Sequence, residues 1–297
     1  MSSPVLTITP NILAETTCTY ATPLEPGTTQ RASQNTFQVG GKGFNVAKML
    51  HRLGVPAQAI SFADGPPGEA CRHWLEHHAL YAWELFDLSH SSRSGMVVRA
   101  PSGKETTFLG PDTVLDGTAA QSAAVFLQNL PASLRVALCG SVPGWSNRAL
   151  TPLRRELEKL ATAERLIVDS YGPALISLVE FPLPLVKINR TEFAALMQEV
   201  DLPPAAAAAQ RRFPVHRWVI TDGARPTEYT DVHESGHVSP PDVAEVSPTG
   251  SGDVFLATLL ELQGKPGLPW RNALVQASRY AVLNAAHPDI AEFELPS

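Results

Sequence analysis

The sequence predicts an α/β protein built on a doubly wound, mostly parallel sheet flanked by helices, with a small β-sheet beside it. Three observations predict this. Short apolar runs that end in polar or glycine residues and lead into helix-like segments recur through the second half of the chain, the βα unit of a parallel sheet. The tight turn Ser247-Pro248-Thr249-Gly250-Ser251-Gly252-Asp253 runs straight into the apolar segment Val254-Phe255-Leu256-Ala257-Thr258-Leu259-Leu260-Glu261-Leu262, as a helix start that approaches an anion does. Residues 16–39 and 93–109 carry the alternation and turn signals of hairpins.

The chain has 297 residues, 44% of them hydrophobic, enough for one large α/β domain over residues 1–297 with a small excursion. A net charge of −6 without any long Lys/Arg run argues against nucleic acid or an anionic membrane as the main partner and favours a small soluble substrate. Cys18, Cys71 and Cys139 are widely spaced and contain no CxxC pair, so a reducing compartment is expected. No apolar run reaches the roughly 18 residues of a membrane span, and Met1-Ser2-Ser3-Pro4 lacks the regions of a signal peptide. The expectation is a cytoplasmic protein.

Taken in order, Val5-Leu6-Thr7-Ile8-Thr9 is a first strand opening at Pro10-Asn11 into a loop, with Glu15 just beyond. Residues 16–39 follow as a hairpin or flap. The cluster Gly40-Gly41-Lys42-Gly43-Phe44-Asn45 then feeds a helix whose Val46, Met49, Leu50 and Leu53 share one face, closed by Gly54. A Walker A loop is excluded, because Thr36 stands where its first glycine would be and Gly43 follows the lysine. Two readings fit: structural turn glycines, or a site where backbone amides, Lys42 and Asn45 meet a polyhydroxylated ligand.

Residues 57–63 read as a second strand and residues 69–80 as a helix. His73 and His77 on it are four apart, a spacing that can ligate zinc. No HExxH glutamate or third ligand accompanies them, so a solvated helix face is expected. Runs at 95–99 and 105–109 flank Ala100-Pro101-Ser102-Gly103-Lys104 as a hairpin. With residues 16–39 they predict a projecting sheet that covers a site or pairs with another subunit.

Strands are expected at 135–139, 165–169, 185–189 and 217–221, and helices near 150–160 and after Arg190. The alanine-rich stretch 202–210 reads as an exposed loop with an alanine helix. A polar strand-and-loop segment over 234–246 approaches the central turn, and residues 270–286 read as a helix rich in small residues. Those permit close helix packing, and they also leave room for a flat adenine ring. Asp253 has two readings as well. It is either the acidic cap of a helix or, beside an anion-binding turn, a base for a hydroxyl that attacks a phosphoryl group.

Four segments in this order resemble the ribokinase-like sugar kinase family, of the PfkB type: Gly40-Gly41-Lys42-Gly43-Phe44-Asn45-Val46-Ala47, Gly140-Ser141-Val142-Pro143-Gly144, Lys187 to Glu192 with its Lys-x-Asn-x-x-Glu pattern, and Gly250-Ser251-Gly252-Asp253. The resemblance covers nearly the whole chain. It implies a ribokinase-like fold with a β lid over about residues 14–39 and 93–110, phosphoryl transfer from ATP, and a magnesium requirement.

By the same resemblance Asp253 is the base, and Gly250, Ser251 and Gly252 form the anion hole. Asn189 and Glu192 organise Mg2+ through water, while Lys187, Thr221, Gly223 and Asn284 attend the nucleotide. Glu15, Gly41, Lys42, Asn45 and Arg93 bind the sugar. The opening Thr9-Pro10-Asn11-Ile12-Leu13-Ala14-Glu15 is nearest the phosphofructokinase and tagatose-phosphate kinase branch, with Glu15 where that branch carries an aspartate. The extra methylene moves the carboxylate by about 1.5 Å. Arg93 is either a partner for a substrate phosphate or a lid surface charge. Pro226 after Gly223 and the short Gly-Ser-Val-Pro-Gly depart from the family pattern.

The leading expectation is an ATP-dependent kinase of a sugar phosphate, 1-phosphofructokinase-like or tagatose-6-phosphate kinase-like. A kinase of an unphosphorylated sugar or nucleoside, and a non-catalytic sugar-binding regulator, are the alternatives. A homodimer through the lid is expected because exposed strand edges need covering.

Overall fold

The computed structural model describes residues 3–101, 105–263, 265 and 267–296. The expected hairpin loop residues Ser102, Gly103 and Lys104, and the N-terminal Met1 and Ser2, lie outside the described residues. The first strand β1 (Val5–Thr9) leads into β2 (Leu13–Thr19) and β3 (Gln34–Gly40), an antiparallel pair. Helix α1 (Lys42–Arg52) follows at once. Its start presses on the end of β1, since a Cβ on Gly41 would lie 2.6 Å from Thr9 Cγ2.

Strand β4 (Ala57–Ala63) is followed by α2 (Gly65–His78), which begins four residues before the expected Glu69. Asp64 accepts from the Gly65 amide, and Pro66 and Pro67 sit in a first turn where no N–H is needed, so a segment that reads as loop is helix. The helix also stops short of Leu80, which is 77% exposed. Strand β5 (Ala82–Asp87), unforeseen in the sequence, closes one edge of the main sheet. Strands β6 (Arg93–Arg99) and β7 (Glu105–Leu109) join β2 and β3 in a separate four-stranded sheet of order β3-β2-β6-β7.

Helix α3 (Gly117–Gln128), also unforeseen, is capped by Asp116, which accepts from the Thr118 and Ala119 amides. Strand β8 (Arg135–Cys139), α4 (Thr151–Thr162), β9 (Leu166–Asp169), the short α5 (Pro173–Leu178), β10 (Leu185–Asn189) and α6 (Arg190–Glu199) continue the alternation. Helix α7 (Ala206–Arg212) is the alanine helix expected after an exposed loop, here Pro203, Pro204 and Ala205, and its Ala206, Ala208 and Ala209 are buried against the core. After β11 (Arg217–Asp222) the chain turns back antiparallel as β12 (Arg225–Asp231) and β13 (Ser235–Val238), then forms α8 (Ser251–Leu262) and α9 (Trp270–Ala285).

The main sheet has the order β13-β12-β11-β10-β9-β8-β1-β4-β5 and is parallel from β11 to β5. Alternation along the strands feeds both faces. In β8, Val136 and Leu138 enter the core beneath α3 and α4, whereas Ala137 and Cys139 enter the core beneath α1, α8 and α9. Helix α8 is apolar nearly all round because it lies between the sheet, α1 and α9. Burial thereby seats the turn preceding α8 at the carboxyl ends of the parallel strands, where such folds place their sites.

Candidate active site

Five neighbouring strands, β11, β10, β9, β8 and β1, end side by side, with Thr221, Asn189, Asp169, Cys139 and Thr9 at or one residue before their carboxyl ends. The start of α1 and the turn before α8 close over this edge. Asn45 Nδ2 donates to Asp253 Oδ2 at 2.7 Å. Asp253 is 6% exposed, in the first turn of α8. Burial and the nearby Asp169 carboxylate push its carboxyl up to about 6, with Lys42, Lys187 and the Asn45 amide pulling the other way.

Asp169 was not singled out from sequence, yet the charges converge on it. It is fully buried, with Lys42 Nζ at 2.9 Å from Oδ1 and Lys187 Nζ at 2.9 Å from Oδ2. Burial alone would raise its carboxyl; the two ammonium groups outweigh that and hold it below the usual carboxylate range. Lys42 also reaches Glu192 Oε1 at 3.2 Å, and these carboxylates push its ammonium up against the opposing effect of burial. Lys187 lies beneath the turn, since a Cβ on Gly252 would come within 2.7 Å of its Nζ.

Gly250, at φ +76°, stands at the left-handed position that starts α8. The Ser251 amide is engaged with Pro248 O and the Asp253 amide with Gly250 O, while the Gly250 and Gly252 amides have no partner among the described residues. Asn284 does not line either cavity. It is 1% exposed, donates to Thr249 O at 2.9 Å and Ser251 Oγ at 3.1 Å, and accepts from the Ala291 amide. Asn189 and Glu192 form the reciprocal capping box of α6, with Asn189 Oδ1 accepting from the Glu192 amide and Glu192 Oε2 from the Asn189 amide.

Two cavities meet at this point. The first, about 420 Å3, is lined by Asn11, Glu15, Gly41, Lys42, Asn45, Arg93, Ser141, Asn189 and Asp253 among others. The second, about 330 Å3, is more apolar and is lined by Gly223, Val243, Ser251, Phe255, Ala281, Val282 and Ala285. Thr221 and Gly252 line both. The small residues of α9 divide between two settings: Ala273 and Ala277 are buried in the α8 interface, while Ser278, Ala281 and Ala285 line the second cavity.

On the wall of the first cavity Arg93 donates to Asp112 Oδ1 at 2.9 Å and to Asn11 O at 3.2 Å, and its Nε is buried with no partner among the described residues. Asn11, another residue not singled out, donates to Asp112 and Ser141. Glu15 hangs from β2 and accepts from Gln38 of β3, and burial pushes its carboxyl up. Away from this site, Glu76 joins His73 and His77 in an exposed cluster on α2, so a third group with a ligand atom does accompany the two histidines. Among the described residues no helix is long and apolar enough to cross a membrane.

Residues 12–295 match the family model of the pfkB family carbohydrate kinases. The chain is similar to the ATP-dependent 6-phosphofructokinase isozyme 2 of Escherichia coli (strain K12), 27% identical over 236 residues, which are 77% of this chain and 76% of that protein. In structure it resembles the phosphofructokinase-2 from E. coli in complex with potassium, with a TM-score of 0.83 at 20% identity over 98% of this chain and 95% of that one. It also resembles a ribokinase from Thermotoga maritima, with a TM-score of 0.73 at 16% identity over 97% and 94%.

Proposed function

The chain belongs to the pfkB family of carbohydrate kinases and has a ribokinase-like fold, and on that premise we propose that it transfers the γ-phosphoryl group of ATP to a hydroxyl of a hexose phosphate, with Asp253 as the general base. The observation that carries this reading is the junction of the two cavities at Gly252, one residue from Asp253. A nucleotide in the apolar cavity would point its phosphates at the start of α8, where the Gly250 and Gly252 amides and the helix dipole favour an anion. A sugar in the polar cavity would present its hydroxyl from the Asp253 side.

The chemistry follows from these groups. Asn45 occupies Asp253 Oδ2 and turns the carboxylate so that Oδ1 accepts the acceptor hydroxyl's proton as the new O–P bond forms. With its carboxyl near 6, Asp253 is ionised at neutral pH and more basic than an exposed aspartate. The Lys187 ammonium beneath Gly252 and the Lys42 ammonium across Asp169 set positive charge where the phosphoryl oxygens gather negative charge. Asn284 supports the turn from behind and does not need to touch the nucleotide.

Magnesium would neutralise the phosphates of ATP. Asn189 and Glu192 suit a hold through water: they are hard oxygen donors at the strand ends, already engaged in the capping box, and the metal keeps several waters.

The relative's name makes fructose 6-phosphate the first acceptor to test. The Nε of Arg93, without a partner among the described residues, supports a substrate phosphate beside this wall of the sugar cavity. A second reading, an unphosphorylated sugar, is favoured by the pairing of the same guanidinium with Asp112. The deciding experiment is ADP release with Mg2+ and ATP across matched free and phosphorylated sugars, repeated with Arg93→Gln. Turnover confined to phosphorylated sugars, with a raised KM in the variant, supports the first reading. Turnover of free sugars that the variant leaves unchanged supports the second, and no turnover with any sugar refutes both.

We further propose a homodimer through the small sheet. Cross-strand register sets Phe108, Met96, Thr16 and Phe37 in one row on the face away from Glu15, and Phe108 and Met96 are 58% and 40% exposed.

A further inference from the structure

The small sheet reaches the catalytic turn by a contact that the reaction itself does not explain. Glu105 opens β7 opposite Arg99 at the end of β6, and its Oε1 is 2.6 Å from Arg99 Nε. Its other oxygen, Oε2, accepts from Ser247 Oγ and from Thr249 Oγ1, each at 3.0 Å. Both hydroxyls belong to the turn that carries Gly250 and Gly252. Arg99 in turn donates to Pro288 O at 2.5 Å. A charged group from a separate sheet therefore bonds two side chains of the turn, and Ser247 is 2% exposed, so its hydroxyl has no ready replacement in water.

We propose that Glu105 is a positioning residue that couples closure of the small sheet over the sugar to formation of the phosphoryl-binding turn; the proposal rests on the reading of Gly250 and Gly252 given above. Register supports the coupling. In the strand pairings Glu105, Arg99 and Thr19 are in line, four residues along from Leu109, Gly95 and Glu15, so Glu105 and Glu15 stand on one face of one sheet. That face offers Glu15 to the sugar cavity and Glu105 to the turn. From the opposite side Asn284 bonds Thr249 O and Ser251 Oγ, so the turn is clamped between α9 and the sheet. When the sheet lifts, one jaw of the clamp is gone and the glycine-rich turn is held from behind alone. The amides that receive the phosphoryl group are thus aligned when a sugar has drawn the sheet down, which restrains hydrolysis of ATP in its absence.

The test compares wild type, Glu105→Ala, Glu105→Gln and Thr249→Val by steady-state kinetics and by amide hydrogen exchange over residues 247–252. The expected result for Glu105→Ala is a kcat lower by about 10- to 100-fold, little change in the KM for ATP, and faster exchange in this segment. Glu105→Gln, which keeps an acceptor oxygen, recovers most of both, and Thr249→Val, which leaves the Arg99 pair intact, moves both in the direction of Glu105→Ala. A Glu105→Ala enzyme with kcat within about twofold of wild type and unchanged exchange overturns the proposal. Should wild type turn over no sugar, the kinase reading fails on its own, and the exchange comparison still decides whether Glu105 holds the turn.

Discussion

Asn45 and Asp253 lie 208 positions apart in the chain, and their side chains meet at 2.7 Å where the start of α1 faces the start of α8. The bond orients the carboxylate that lines the polar cavity, the one proposed for the sugar. Asp253→Asn is expected to lower kcat by about 100- to 10,000-fold while sugar affinity stays within a few-fold, as measured by single-turnover kinetics and calorimetry. An equally poor turnover in wild type and variant, with binding intact, would mark a sugar-binding protein and not an enzyme.

The pH dependence follows from the raised carboxyl of Asp253. As the proposed base it must be ionised, so kcat/KM should rise with pH through an acid limb near 6. Stability runs the other way. A folded-state value raised from 3.8 to about 6 contributes stability that is fully present below 3.8 and lost as pH rises through 6. Asp253→Asn should therefore gain stability over wild type at pH 8 and lose most of that gain at pH 4, read by denaturant unfolding at both values.

Asp169 holds two lysines, so its removal has a local and a global effect. Asp169→Asn leaves Lys42 and Lys187 without their shared counter-charge and should destabilise the fold by about 3–5 kcal/mol. It also deletes a negative charge that raises Asp253 and unmasks positive charge that lowers it. The acid limb of the residual activity should move below that of wild type, a shift that unfolding alone does not produce.

Gly250 is held at φ +76°, and a Cβ there would overlap the Ile290 side chain. Gly250→Ala combines left-handed strain of about 1–2 kcal/mol with a steric clash at the turn proposed to bind the phosphoryl group. The expected outcome is a lower melting temperature and a loss of kcat larger than the loss of sugar affinity. A control at Gly27, also left-handed but with open space around its Cβ, should leave kcat unchanged.

The row of Phe108 and Met96 on the outer face of the small sheet gives the oligomer test. Light scattering at micromolar concentration should show a dimer for the wild type and a monomer for Phe108→Glu. A wild-type monomer would leave this face as ordinary exposed surface.

Much of the architecture was legible because it rests on local chemistry. Apolar period and glycine placement marked β1, β4, β8 to β11, α1, α8 and α9 within a few residues. The edge strand β5 and helix α3 were missed, their patterns being short or small-residue rich, and α2 began early because its prolines read as loop while Asp64 made them a first turn. At the site, Asp253, Asn45 and Lys42 stand in glycine-rich motifs and Lys187 in a segment that the family resemblance picks out, whereas Asp169, Asn11 and Glu105 carry no motif.

The sequence by itself determined the order of strands and helices, the glycine turn ahead of α8, and the set of polar residues at the strand ends, since period, capping and backbone freedom are properties of neighbouring residues. The tertiary structure alone decided that Asp169 pairs with both Lys42 and Lys187, that Asn284 braces the turn, that Arg93 already faces Asp112, and that Glu105 crosses from a separate sheet to Ser247 and Thr249. Those are pairings between residues far apart in the chain. Strand order and sheet register set them, and no local pattern of charge or period encodes which partner a buried side chain will find.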